Sequence, residues 1–119
     1  MHESDYTRKL RKELEHGGVF FKISDRFNAG IPDLLGCVCG RFAAIEVKVA
    51  PNGLTGLQQA SLTRLAESGS ATFVAKYNKI LKQWHLLDWA TGENYTTKTE
   101  KEASEWLLKQ SSFNTRSTQ

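Results

Sequence analysis

Gly30-Ile31-Pro32-Asp33-Leu34-Leu35, followed after a short turn by Ala43-Ala44-Ile45-Glu46-Val47-Lys48-Val49, decides how the rest of this chain is read. Side chains alternate along an extended strand, so Ile45, Val47 and Val49 point one way and Glu46 and Lys48 the other. One face is apolar and the other charged. Pro32 holds Ile31 extended and has no N–H of its own, so it belongs at the beginning of a strand, with Asp33 at the entrance. A reversal at Gly40-Arg41 sends Phe42 to Val49 back antiparallel and brings Glu46 and Lys48 near Asp33. Two carboxylates and an amine gathered on a sheet are costly to desolvate unless they pair or hold a metal.

The flanking segments predict the rest of an α/β domain. Tyr6, Leu10 and Leu14 recur every four residues among Arg8, Lys9, Arg11, Lys12 and Glu13, an amphipathic helix from Ser4 to about His16 that Gly17-Gly18 ends. With Ser4 as its cap, Glu3 falls outside the helix; with an earlier start, Glu3 lies over the inward stripe. Val19 to Ser24 reads as a strand and Asp25 to Gly30 as a loop. Leu54 to about Ser68 reads as a helix, stopped by Gly69. Gln58, Leu62 and Leu65 share its inward stripe, yet Thr55-x-x-Gln58 is also a capping box, so Gln58 has two readings. Ala71 to Tyr77 and Leu81 to Trp89 read as a hairpin, Thr91 to Asn94 as a turn, and Glu100 to Gln110 as a last helix. The expectation is one domain over 1–110, a mixed β-sheet flanked by helices, with a flexible polar tail over 111–119.

A chain of 119 residues with 39% hydrophobic and 24% charged content supports one core. Its formal charge of +3 and isoelectric point near 9.0 favour polyanions mildly. No apolar run is long enough to span a membrane and Met1-His2-Glu3-Ser4-Asp5 is no signal peptide, so no membrane partner and a cytoplasmic location are expected, in the host cell if the source is viral. Cys37 and Cys39, two apart on a strand, cannot bridge each other, and they find no histidine at zinc spacing among His2, His16 and His85. They read as small strand residues, buried or half-buried.

Asp33, Glu46 and Lys48 are the parts needed for metal-assisted phosphodiester hydrolysis. Two carboxylate oxygens with the Val47 backbone carbonyl suit Mg²⁺, a hard cation that keeps several waters, and Mn²⁺ could substitute. A lysine beside the ion would orient the attacking water or offset developing charge. The competing explanation is a buried salt bridge of Lys48 with Glu46 or Asp33.

Pro32-Asp33, then twelve residues, then Glu46-Val47-Lys48 resembles the PD-(D/E)xK nuclease signature. Together with Leu54-Thr55-Gly56-Leu57-Gln58 and Gly69 ending that helix, the stretch from about Glu3 to Tyr77 resembles the virus-type replication-repair nuclease (VRR-NUC) domain. The resemblance implies a restriction-endonuclease-like core, Asp33 and Glu46 as metal ligands, Lys48 as catalytic lysine, Gln58 as a further site residue and Glu3 as an accessory metal-binding acid. Stand-alone members of that family resemble Holliday-junction resolvases, so the implied activity is a Mg²⁺-dependent endonuclease cutting branched DNA as a homodimer. Nicked, flap or linear duplex substrates, and a non-catalytic nucleic-acid-binding module, are the rival readings. Phosphate contacts are expected from Arg8, Lys9, Arg11, Lys12, Lys22, Arg26, Lys76, Lys79 and Lys82. Phe73, Trp84, Leu86 and Trp89 are candidates either for the partner surface or for the core.

Overall fold

Residues 1–23 and 30–113 are described by a computed structural model. In chain order the elements are α1 (Glu3–Leu14), β1 (Val19–Lys22), β2 (Leu34–Val38), β3 (Arg41–Val49), α2 (Gly56–Glu67), β4 (Ala71–Asn78), β5 (Gln83–Asp88), β6 (Asn94–Thr97) and α3 (Glu100–Phe113). Among the described residues the strands form one sheet in the order β1-β2-β3-β4-β5-β6. Each neighbouring pair is antiparallel except β3 and β4, which are parallel and need the crossover that α2 supplies.

The alternation in β3 sorts the layers. Ile45 and Val47 are fully buried in a core with Tyr6, Leu10 and Leu14 of α1, Ala103 and Leu107 of α3, and Phe73, Ala75, Trp84 and Leu86 of the later strands. Helices α1 and α3 therefore cover one face, and α2 lies on the other, where Ala44, Glu46 and Lys48 point. Phe73, Trp84 and Leu86 thus belong to the core and are not available to a partner, because α3 roofs them; Trp84 also donates its indole N–H to Glu100 Oε2 at 3.0 Å. Trp89 is half-buried and donates to Thr63 Oγ1.

Several boundaries differ from expectation for local reasons. Helix α1 starts at Glu3 rather than after Ser4: the Asp5 carboxylate accepts the His2 N–H at 2.9 Å, so Glu3 is a helical residue. The β2–β3 reversal uses Cys39-Gly40, not Gly40-Arg41, since Val38 pairs with Arg41. Positive φ at both, 50° and 79°, gives the two-residue turn whose twist suits a hairpin. Cys37 and Cys39 are exposed, not buried. Asn94–Thr97 forms an edge strand instead of only a turn, and α3 continues past Gln110 to Phe113, with Ser111 buried and its hydroxyl donating to the Leu107 carbonyl at 2.7 Å. Residues 24–29, which include Ser24 at the end of the expected first strand and Arg26, and the tail from 114 onward lie outside the described residues.

Candidate active site

Strand β3 outruns β2, and the site is built where its partner stops. Leu34 pairs with Ile45, so the same register continued by two sets Pro32 opposite Val47. Proline has no N–H to offer the Val47 carbonyl, and the exposed edge of β3 needs other partners. Side chains supply them. Asp33 Oδ2 accepts the Val47 N–H at 2.8 Å and Glu3 Oε2 accepts the Val49 N–H at 3.2 Å. Pro32 thus ends the ladder where Asp33, fixed by a main-chain donor, comes up against Glu46.

Glu46 is 2% exposed. Its Oε2 accepts from Gln58 Nε2 at 3.0 Å and lies 3.8 Å from Lys48 Nζ, while its Oε1 is buried and has no hydrogen-bond partner among the described residues. Burial, then the charge of the neighbouring Asp33, with a smaller push from Glu3, drive the Glu46 carboxyl up to about 8, against the opposing pull of Lys48. The opposing pull loses. The buried salt bridge of Lys48 with Glu46 is present at 3.8 Å, but it leaves the second Glu46 oxygen without a hydrogen-bond partner among the described residues.

Gln58 resolves its two readings by satisfying both. Its Oε1 accepts the Thr55 N–H at 2.9 Å, closing a capping box with the Thr55 hydroxyl, and its Nε2 reaches Glu46. The start of α2 is thereby tied to the acid. Gly30 permits the close approach of α2: a Cβ there would stand 2.9 Å from Ser61 Oγ and 3.0 Å from the Leu57 carbonyl.

An orphaned carboxylate oxygen, a second acid with one oxygen uncommitted among the described residues, and a carbonyl beyond the end of a ladder form an oxygen donor set that fits Mg²⁺ or Mn²⁺. Among the described residues no group of three or more His, Cys, Asp or Glu side chains gathers as a metal cage. Two carboxylates plus main chain and water is the pattern magnesium takes. Glu3 is brought to the rim of the site, with one oxygen spent on Val49, and does not join Asp33 and Glu46 as a third acid.

The basic residues separate. Lys76 pairs in register with Lys48 and shares its face, half-buried beside the acids. Arg11 is occupied by the Phe20 carbonyl at 3.1 Å and by Glu15, Arg8 by Asp5 at 2.9 Å, and Lys79 by the Met1 carbonyl at 2.7 Å. Lys22 stands opposite the buried Leu34, on the face away from Glu46, and Lys9, Lys12 and Lys82 are exposed. The row that sequence reading missed is Lys48, Lys76, His85 and Thr96, aligned across β3 to β6. Its trace in the sequence was the alternation of β5: with Trp84 and Leu86 inward, His85 and Leu87 must face the charged side.

The described architecture is similar to a solved structure. Hjc, a Holliday junction resolvase from the archaeal hyperthermophile Archaeoglobus fulgidus, superposes with a TM-score of 0.59, covering 85% of this chain and 98% of that one at 18% sequence identity. The fold is restriction-endonuclease-like. No family model matches the sequence, and no curated protein matches it. Within the restriction-endonuclease-like sheet, Asp33, Glu46 and Lys48 lie at the end of β2 and the outer half of β3, where the charged face emerges from under α2.

Proposed function

We propose that the chain is a Mg²⁺-dependent, structure-specific DNA endonuclease that resolves Holliday junctions as a homodimer. The observation that carries the reading is Glu46, a buried carboxyl with an orphaned oxygen held against Asp33 and within reach of Lys48. Buried carboxyls with an unpaired oxygen and a strongly raised pKa concentrate at functional sites. Similarity in fold to a junction resolvase supports the same class of substrate.

Asp33, Glu46 and the Val47 carbonyl would hold the ion, which when bound polarises the phosphoryl oxygen and acidifies a water. Lys48 orients that water and offsets charge on the phosphate as the water oxygen adds to phosphorus and the bond to the leaving sugar oxygen breaks. Gln58 keeps Glu46 aimed by holding Oε2, which leaves Oε1 for the ion. The Val47 N–H does the same for Asp33, and Glu3 positions the end of β3 through Val49. A purely binding module would have no need of this trio.

Two matched cuts across a nearly two-fold junction require two copies of a chain with one site. Val19 and Phe21, 59% and 63% exposed on the edge strand β1, continue through Cys37 and Phe42 as an apolar strip on the same sheet face as Glu46. An exposed apolar strip of this kind invites self-association, and we assign it to the dimer. No helix among the described residues is long and apolar enough to cross a membrane; the enzyme would work on DNA in the cytoplasm, of a host cell if viral.

The test is incubation of the purified protein with labelled four-way junction, flap, nicked and linear duplex, with Mg²⁺, Mn²⁺ or chelator. Paired, symmetric nicks in the junction that require the metal are expected. Equal cutting of linear duplex would remove the resolvase assignment, and tight metal-independent binding without cleavage would favour the module.

A further inference from the structure

Beyond the acids, the sheet face stays open. Helix α2 covers Ala44 and Glu46 but not β5 and β6, and the uncovered part forms a groove of about 410 Å³. Val74 and Leu87 make its floor, in the row of Glu46; Lys76, His85 and Thr96 run along it in the row of Lys48; Trp89 closes the side toward α2. The groove is thus the direct continuation of the candidate site across neighbouring strands.

Its polar groups are arranged for an anion. Lys76 is half-buried, and it has no hydrogen bond or ion pair among the described residues. His85 Nδ1 lies 3.2 Å from Thr96 Oγ1. When that hydroxyl donates to Nδ1, the ring proton sits on Nε2, which is left as a donor toward the groove. Among the described residues, no carboxylate lines the groove. An apolar floor beside a cation and an imidazole that can donate suits the sugar and phosphate of a polynucleotide better than a free anion, which would not use the floor.

We propose that this groove is the subsite for the nucleotides flanking the scissile phosphate on one side, with Lys76 and His85 each holding a backbone phosphate and Val74 and Leu87 seating the sugars. The assignment rests on the nuclease reading for the location of the scissile phosphate. Neighbouring strands are about 4.8 Å apart, so His85 stands roughly 10 Å from Lys48, a span of about two to three nucleotides of one strand. Lys76 and His85 are positioning residues, since neither reaches the reacting phosphorus.

The experiment uses the full chain with K76A, H85A, the double variant and K101A, whose lysine is exposed on α3 across the sheet. Junction affinity is measured in chelator over a range of salt, and cleavage in Mg²⁺ separately. The double variant is expected to bind about tenfold more weakly, with a salt slope shallower by about one, the share of one fully charged contact. It should raise KM by a similar factor while kcat changes less than threefold. K101A should match wild type. DNA truncated on the groove side of the cut should bind wild type and double variant alike. A double variant that binds like K101A, or a loss unaltered by truncating either side, overturns the subsite. Wild type that binds junction with these sensitivities but never cleaves would retain the groove and sink the nuclease reading instead. An unchanged thermal unfolding midpoint for each variant separates lost contacts from lost fold.

Discussion

Glu46→Gln removes the one charge that the fold holds least comfortably, and its effect should depend on pH in a defined sense. Burial and the neighbouring Asp33 raise the Glu46 carboxyl from 4.5 to about 8, so between those values the folded state keeps a proton that the unfolded chain releases. Stability from this group is therefore complete below about pH 4.5, erodes as pH rises, and is gone above about pH 8. Each unit of displacement is worth about 1.4 kcal/mol, which bounds the loss near about 5 kcal/mol. Asp33 and Glu3 are half-exposed and water screens them, so we expect about 2–3 kcal/mol. A glutamine carries no charge, while its carbonyl can still accept from Gln58. Urea unfolding in chelator at pH 5 and pH 8 should show wild type losing this amount relative to E46Q. Adding Mg²⁺ at pH 8 should restore wild type and leave E46Q nearly unmoved, because only the charged acid gains from the ion. A wild type whose stability relative to E46Q is flat from pH 5 to pH 8.5 would refute the claim that Glu46 and Asp33 crowd each other.

Three further outcomes follow from other contacts. Gln58→Ala should lower stability by about 1 kcal/mol through the lost capping box and slow cleavage more than it weakens DNA binding, as unfolding curves and single-turnover rates on one preparation would show. Gly36→Val should abolish soluble folded protein, because a Cβ at Gly36 would collide with the Val19 carbonyl oxygen; circular dichroism of the expressed chain decides it. Phe21→Glu should shift the mass in sedimentation equilibrium from dimer to monomer and end paired nicking, while the fold, which does not use this exposed ring, stays intact.

Much of the site could be read locally. Alternation along Ile45 to Val49 placed Glu46 and Lys48 on one face, and Pro32 placed Asp33 at a strand entrance; both are short-range rules that tertiary structure left standing. Gln58 looked ambiguous because one amide can serve a cap with its oxygen and an acid with its nitrogen, and both uses occur. Glu3 was ambiguous for another reason: His2 is no ordinary cap, and only the Asp5 carboxylate on its N–H shows that the helix begins early. What stayed hidden depends on which elements lie side by side. Phe73, Trp84 and Leu86 have no claim to a surface because α3 roofs them, and the row from Lys48 to Thr96 exists only because the parallel crossover from β3 to β4 sets Lys48 in register with the later hairpins. Short, weakly hydrophobic Asn94–Thr97 gave no signal as a strand because its partner β5, not its own pattern, holds it.

Single-turnover cleavage of a labelled four-way junction by wild type and Lys48→Ala, each at a concentration that saturates binding, tests the central claim most directly. Wild type should nick opposing strands in Mg²⁺ and not in chelator, and K48A should bind equally but cut at least a hundredfold more slowly, on the scale of losing one preorganised charge at a transition state. K48A cutting at the wild-type rate, or wild type leaving the junction intact with the metal present, would contradict it.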